Sequence, residues 1–297
     1  MKIVPDCTPC ALRRLLATAQ QVTDDPWLHD KVLAQAMGEM IEGERDVTPA
    51  ERMCDLHDLV CRNLGVSDPW GKEREAWMEQ VAPLAGALRE RLEECDDPLP
   101  TALLAAARAN AFDDELLPPR RVREELRRIG LGDGGGEPRA EERFAFSDLD
   151  RFRRELAEAG SLLFIHDSAP ELVFDIGLIE SLRTARPDLE VTSVVRAQPV
   201  LLDATHEDAE RAALSRVEGV RAVVDPGVGG LGITLGTSSR EFRELFEESD
   251  LVLAKGQAHL ETLSESGRAV YFLLRVKCAV MARHQGCKIG ELVFVRA

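Results

Sequence analysis

The chain has 297 residues, 44% hydrophobic and 30% charged, with seven cysteines and a net charge of −16 from 53 acidic against 37 basic residues. That length exceeds what one core usually organises, and the acidic balance argues against nucleic acid or an anionic membrane as partner, since both need clustered basic surface. A small anionic substrate stays compatible, because a few local cations outweigh a distant field inside a closed pocket.

In chain order, residues 1–130 read as helices. Ala11, Leu12, Leu15, Leu16 and Val22 form one helical stripe, and Leu28, Val32, Met37 and Ile41 repeat it. Thr48-Pro49-Ala50-Glu51 carries a helix start, with a Thr cap, Pro in the first turn and Glu three residues on. Further helices are expected over 72–94, 99–110 and 119–129. The Gly-rich, charged stretch 131–142 reads as a loop or linker. Short apolar runs then appear at 161–166, 189–195, 220–224, 250–254 and 269–276, with a last one in "ELVFVRA". The segments between them, 171–184, 204–215, 239–248 and 277–286, read as helices. Strands alternating with helices predict an α/β domain with a mainly parallel sheet and helices on both faces. The expected division is a helical N-terminal domain over 1–145 and an α/β domain over 146–297. No GxGxxG follows the first strand, so the dinucleotide fingerprint is missing. No apolar run of about 18 residues occurs and the N-terminus has no signal-peptide core, so the expectation is a cytoplasmic protein with reduced cysteines.

In open α/β sheets, ligands bind where the carboxyl ends of the strands converge. The expected strand ends deliver Asp167 and Ser168, Arg196 with Asp203, Lys255-Gly256-Gln257-Ala258-His259 with Glu261, and Arg275 with Lys277. Two carboxylates and several cations on one rim suit a hard divalent cation and a phosphoryl group. The plainer reading stands beside it. Ser168-Ala169-Pro170-Glu171 is also a capping box, Asp203 also a helix cap, and Lys277 also a solvated helix-end cation.

These residues resemble the damage-control phosphatases, the family with an acidic-residue-methyltransferase-like metal-binding domain (the "domain of unknown function eighty-nine"), in its short prokaryotic branch. The family's D-N-A-G-E motif stands here as Asp167-Ser168-Ala169-Pro170-Glu171, followed by Asp175. Its R-x-x-P segment leading to Asp is Arg196 to Pro199 with Asp203. Its K-G-x-x-N-x-E is Lys255 to Glu261, and its Lys-Cys pair is Lys277-Cys278. In the N-terminal half, Cys7 with Cys10, Asp68-Pro69-Trp70, and Asn110 with Asp113 also match, so the resemblance covers nearly the whole chain. It implies a helical N-terminal domain on a Rossmann-like three-layer α/β/α domain, and hydrolysis of a small phosphorylated metabolite with Mn, Mg, Co or Ni. It further implies Asp167, Ser168 and Asp203 as metal ligands, with Asp167, Asp203 and Lys277 at the chemistry. Phosphate and substrate contacts would come from Arg196, Lys255, Gly256, Gln257, His259 and Lys277. Asn110, Asp113, Glu171 and Glu261 are candidate pocket residues.

Three positions depart from the family pattern: Ser168 for Asn, Pro170 for Gly and His259 for Asn. They keep open a second reading, a member that binds metal or phosphometabolite with little catalysis. A carboxyl methyltransferase using S-adenosylmethionine is a third, against which the missing Gly-rich turn counts. Cys7 and Cys10 with His57, and with Cys54 and Cys61 on the same helix face, would make a zinc set only if they met in space. The favoured alternative is small buried thiols and a satisfied interior imidazole.

Overall fold

Among the described residues, six helices carry the first part of the chain: α1 (Cys7–Val22), α2 (Pro26–Glu42), α3 (Pro49–Leu64), α4 (Gly71–Val81), α5 (Leu84–Glu93) and α6 (Leu99–Ala109). The computed structural model describes residues 1–112 and 144–297. Asp113, the expected helix at 119–129 and the stretch 131–142 lie outside the described residues. The start of α3 forms as its sequence predicts, with Thr48 and Glu51 each bonding the other's backbone N–H. The helical stretch expected over 72–94 is divided into two helices. Pro83 is the cause, since it has no N–H to donate and its ring clashes with the carbonyl four residues back.

From residue 146 the chain alternates: β1 (Phe146–Ser147), α7 (Leu149–Glu158), β2 (Ser161–Ile165), α8 (Leu172–Ala185), β3 (Glu190–Val194), α9 (His206–Arg211), β4 (Val220–Val224), α10 (Arg240–Glu248), β5 (Leu251–Lys255), α11 (Gln257–Leu263), β6 (Tyr271–Arg275), α12 (Ala279–Gln285) and β7 (Leu292–Arg296). The strands form one sheet in the order β1-β7-β6-β5-β2-β3-β4. All neighbours are parallel except β6 and β7. The chain runs outward from β2 through β3 and β4, then crosses back to place β5 on the other side of β2. The order therefore reverses between β2 and β5, and this is the switch point at which such sheets open a crevice.

Period-two alternation sends Leu162, Phe164, Leu251, Leu253 and Leu273 to one face of the sheet, and Leu163, Ile165, Val252, Ala254 and Leu274 to the other. On the second face lie Phe242 and Phe246 of α10, Leu260 of α11 and Met281 of α12. The first is covered by α7 and α8, and its core runs on without a break into α1 to α6. The junction is tight: Gly177 of α8 has no side chain because Leu88 of α5 fills that space. Among the described residues no helix is long and apolar enough to cross a membrane.

Against β6 and β7, Phe152, Tyr271 and Phe294 meet with ring centroids 4.8, 5.2 and 5.6 Å apart. Truncating the ring common to two of these contacts, Phe294→Ala, should lower the unfolding free energy by about 3–5 kcal/mol, measured by denaturant titration.

Candidate active site

The site forms at the switch point. β2 ends at Ile165, and the next residues, His166, Asp167 and Ser168, are all buried. Gly256, which follows β5, holds φ +83, a conformation L side chains rarely adopt. A β-carbon on Gly256 would land inside the Asp167 carboxylate, so the backbone there must be bare. Asn110, which follows α6, donates through Nδ2 to Asp167 Oδ2 at 2.8 Å and to Glu171 Oε1 at 2.9 Å. Its Oδ1 accepts from the backbone N–H of Arg275 at 3.1 Å. One amide thus ties the helical half to three separate parts of the α/β half.

Behind Asp167 lies a buried charge cluster. The Lys255 ammonium stands 2.7 Å from Glu171 and 2.6 Å from Asp175, with all three side chains shut away from solvent. Burial pushes the lysine pKa down, but Asp175 and Glu171 outweigh it and hold the pKa above the usual value. Burial likewise pushes Asp175 up, and Lys255 and His166 outweigh it and hold it below the usual carboxylate range. His166 bonds Asp175 through Nδ1 at 2.8 Å. Lys255, expected to face a phosphoryl group, is therefore committed to two internal carboxylates. Ser168 is not a helix cap either. Its hydroxyl donates to Glu171 Oε1 at 2.7 Å, and no backbone N–H bonds its side chain. The capping-box reading of 168–171 gives way because the Glu171 carboxylate is a stronger acceptor than a reciprocal cap.

Asp203 joins the site through backbone pairing with Ser168. It does not cap α9, a task done by Thr205 with Asp208. Arg196 Nε donates to Asp203 Oδ2 at 2.6 Å and its Nη1 to the Gly232 carbonyl at 2.7 Å. Arg196 Nη2 lies 2.8 Å from His259 Nε2, and His259 Nδ1 lies 2.6 Å from the Lys255 carbonyl. Because arginine only donates, Nε2 must accept and Nδ1 must carry the proton. Burial, followed by the Arg196 charge, keeps the ring neutral by holding its pKa well below the ordinary value.

In front of this network lies a cavity of about 160 Å³. Of the expected site residues, Asp167, Asp203, Gln257, Glu261 and Lys277 line it, together with Cys7, Cys10 and Cys278. Arg196, Lys255 and His259 stand behind it, wholly or nearly buried. Burial, followed by the charges of Glu171 and Asp203, pushes the Asp167 carboxyl up to about 7, and Lys277 and Arg196 act in the opposite sense. All seven cysteines are free. Among the described residues no group of three or more His, Cys, Asp or Glu side chains is placed to hold a metal ion. His57 is buried with Cys61 Sγ 3.7 Å from its Nδ1. Sequence reasoning missed Arg14 and Arg52, which bring cations from α1 and α3 to the cleft wall, and His166. Nothing in a helical stripe marks which polar residue turns toward a distant strand end.

Fold and site together define an α/β protein with a carboxylate-bearing ligand cleft at the switch point of its sheet. The chain belongs to the family of the damage-control phosphatase ARMT1-like domain, whose model matches residues 3–293. It is 32% identical over 299 residues to a damage-control phosphatase of Archaeoglobus fulgidus, covering 99% of this chain and 98% of that one. A damage-control phosphatase of Pyrococcus horikoshii is 27% identical, with 100% and 98% covered. The crystal structure of a DUF89 family protein from Pyrococcus horikoshii superposes with a TM-score of 0.85 at 27% identity, covering 100% of this chain and 99% of that one.

Gly256→Ala forces a β-carbon into Asp167 and strains the backbone. It should cost about 1–3 kcal/mol and displace the carboxylate, seen as a lower Tm. Asp167 has a second, pH-dependent signature. Its folded pKa near 7 exceeds the unfolded value, so the folded state loses stability as pH rises from about 4 to about 7. Asp167→Asn should therefore raise Tm by several degrees at pH 8 and by little at pH 4, without added metal.

Proposed function

We propose that the protein is a divalent-metal-dependent phosphatase acting on a small phosphorylated metabolite. The observation that carries this reading is the Asp167 carboxylate, buried on the cleft wall beside two further carboxylates and raised to about 7. A carboxylate so crowded by like charge and poor solvation gains most from a bound cation.

The donor chemistry fits a hard ion. Asp167 and Asp203 would hold it, and the Ser168 hydroxyl, whose proton goes to Glu171, keeps its oxygen lone pairs for a third contact. Such an ion supplies charge neutralisation at a phosphoryl oxygen and favours attack by water. The chain's own residues do the positioning. Asn110 fixes the Asp167 carboxylate, and Arg196 fixes that of Asp203. Lys277, Arg14 and Arg52 line the cleft with positive charge, which attracts the phosphate and stabilises charge that develops on it. The family membership and the names of the two damage-control phosphatases support the same activity.

The test is hydrolysis of p-nitrophenyl phosphate and a panel of small phosphate esters with Mg²⁺, Mn²⁺, Co²⁺ or Ni²⁺. Turnover should require a metal and vanish with chelator or in Asp167→Ala. Asn110→Ala should lower kcat/KM about 10- to 100-fold, because it orients a ligand without being one. Undiminished turnover by Asp167→Ala would sink the assignment.

A further inference from the structure

The walls of the cleft differ from its floor. Around the carboxylates and cations stand Ile3, Met53, Leu201, Leu202, Leu231 and Val280, a lining of aliphatic and thioether groups. Among the described residues lining the cleft there is no Ser, Thr, Asn, His or aromatic side chain. The one neutral amide, Gln257, is already engaged: its Nε2 donates to Glu261 at 2.9 Å, and its Oε1 accepts from the Lys277 backbone N–H at 3.3 Å. Asp6, at the mouth, is ion-paired with Arg283.

A polyhydroxylated substrate needs convergent donors and acceptors for each hydroxyl it desolvates, and an unpartnered one is costly. The charged side chains of the lining besides the two aspartates and Asp6 are Arg14, Arg52, Glu261 and Lys277. Of these, Arg52 already donates to the Glu44 carbonyl and pairs with Asp55, and Glu261 accepts from Gln257, so partners for several hydroxyls are few. The wall does suit an apolar group, whose transfer from water is favourable in proportion to the area it buries.

Leu201 gives an independent sign that this wall is built. It sits at φ +47, one of two non-glycine residues with positive φ among those described. For a residue with a branched aliphatic side chain that backbone is unfavourable, and glycine or asparagine would adopt it with less strain. The strained residue lines the cleft two positions before Asp203 while packing in the core behind it. Strain of this kind gathers at ligand sites, where the surrounding structure holds it.

We propose, resting on the phosphatase reading above, that the substrate is a phosphate monoester of a short apolar alcohol rather than a sugar phosphate. The phosphate occupies the floor formed by Asp167, Asp203 and Lys277, and a short hydrocarbon chain lies against Met53, Leu201 and Leu202. The cavity of about 160 Å³ is close to one that takes up a benzene ring (about 150 Å³), and it must hold the phosphate as well, which favours a small ester.

The experiment compares n-butyl, n-pentyl and isoamyl phosphate with glucose 6-phosphate and fructose 1-phosphate, each with Mg²⁺ or Mn²⁺. The expected kcat/KM is at least about tenfold higher for the alkyl esters. Leu201→Asn keeps a residue suited to the left-handed backbone but replaces the apolar wall with an amide. It should reduce the alkyl-to-sugar ratio about tenfold, and Met53→Gln, on a different element, should act in the same direction. Equal or greater kcat/KM on the sugar phosphates, or a ratio unmoved in both variants, overturns the proposal. Calorimetry with n-pentylphosphonate and glucose 6-phosphate on the Mg²⁺-loaded protein decides the matter even if no ester is turned over. Tighter binding of the phosphonate, weakened in Leu201→Asn, supports the apolar class while the phosphatase reading fails. Tighter binding of the sugar phosphate overturns it.

Discussion

A lysine ammonium with no exposure to solvent, held between Glu171 and Asp175, is the constraint on which the rest of this site is built. Transferring that charge out of water is costly, and only two close carboxylates in good geometry compensate for it. Once made, the cluster fixes the end of β5 against the start of α8. Removing one partner would leave an uncompensated buried charge, so the elements that carry the three residues are locked in one arrangement. Glu171 extends the cluster through Ser168, and Asn110 extends it to Asp167 and to α6. The helical half and the strand ends are thereby registered to one another within hydrogen-bond tolerance.

The front of the site follows from the back. Because Lys255 is consumed internally, its charge is not offered to the cleft, and the buried Asp167 stands beside Glu171 and Asp203 with Lys277 and Arg196 only partly offsetting them. The Asp167 carboxyl is accordingly pushed up to about 7, while Asp175, further along the chain but beside the lysine, is held below the usual carboxylate range. The two opposed shifts come from two environments, one crowded by like charge and one paired with a cation. The departures from the family motifs fit this frame. At 168, a hydroxyl donates to Glu171. At 259, a neutral imidazole accepts from Arg196 on one nitrogen and donates to the Lys255 carbonyl with the other, so the ring bridges two elements that must stay aligned. Pro170 lies in a short 3₁₀ turn whose first N–H groups would have no partner within the helix in any case.

The cleft is bounded by both halves, and they contribute differently. The strand ends bring the carboxylates and Lys277, all from loops anchored on a rigid sheet. From α1 and α3 come Arg14, Arg52, Met53 and the thiols of Cys7 and Cys10. The two aspartates and Lys277 thus stand with the sheet, whose register is set by seven paired strands. The chemical character of the walls is set by helices whose positions depend on side-chain packing.

By itself, the sequence determined the class of the fold and where its major strands fall along the chain, because short apolar runs separated by helical stripes admit few arrangements. It also marked Asp167, Ser168, Asp203 and Lys277 at strand ends, since motif spacing survives without knowledge of packing. The two-residue strand β1 and the break at Pro83 were missed in outline, one because it is too short to show a period and the other because apolar spacing runs through it. Only the tertiary structure decided what each charge does. Lys255 and Arg196 read in sequence as rim cations, yet lie buried against Glu171, Asp175 and Asp203. Burial and partner choice depend on groups up to 84 positions apart, and no local pattern encodes such a distance.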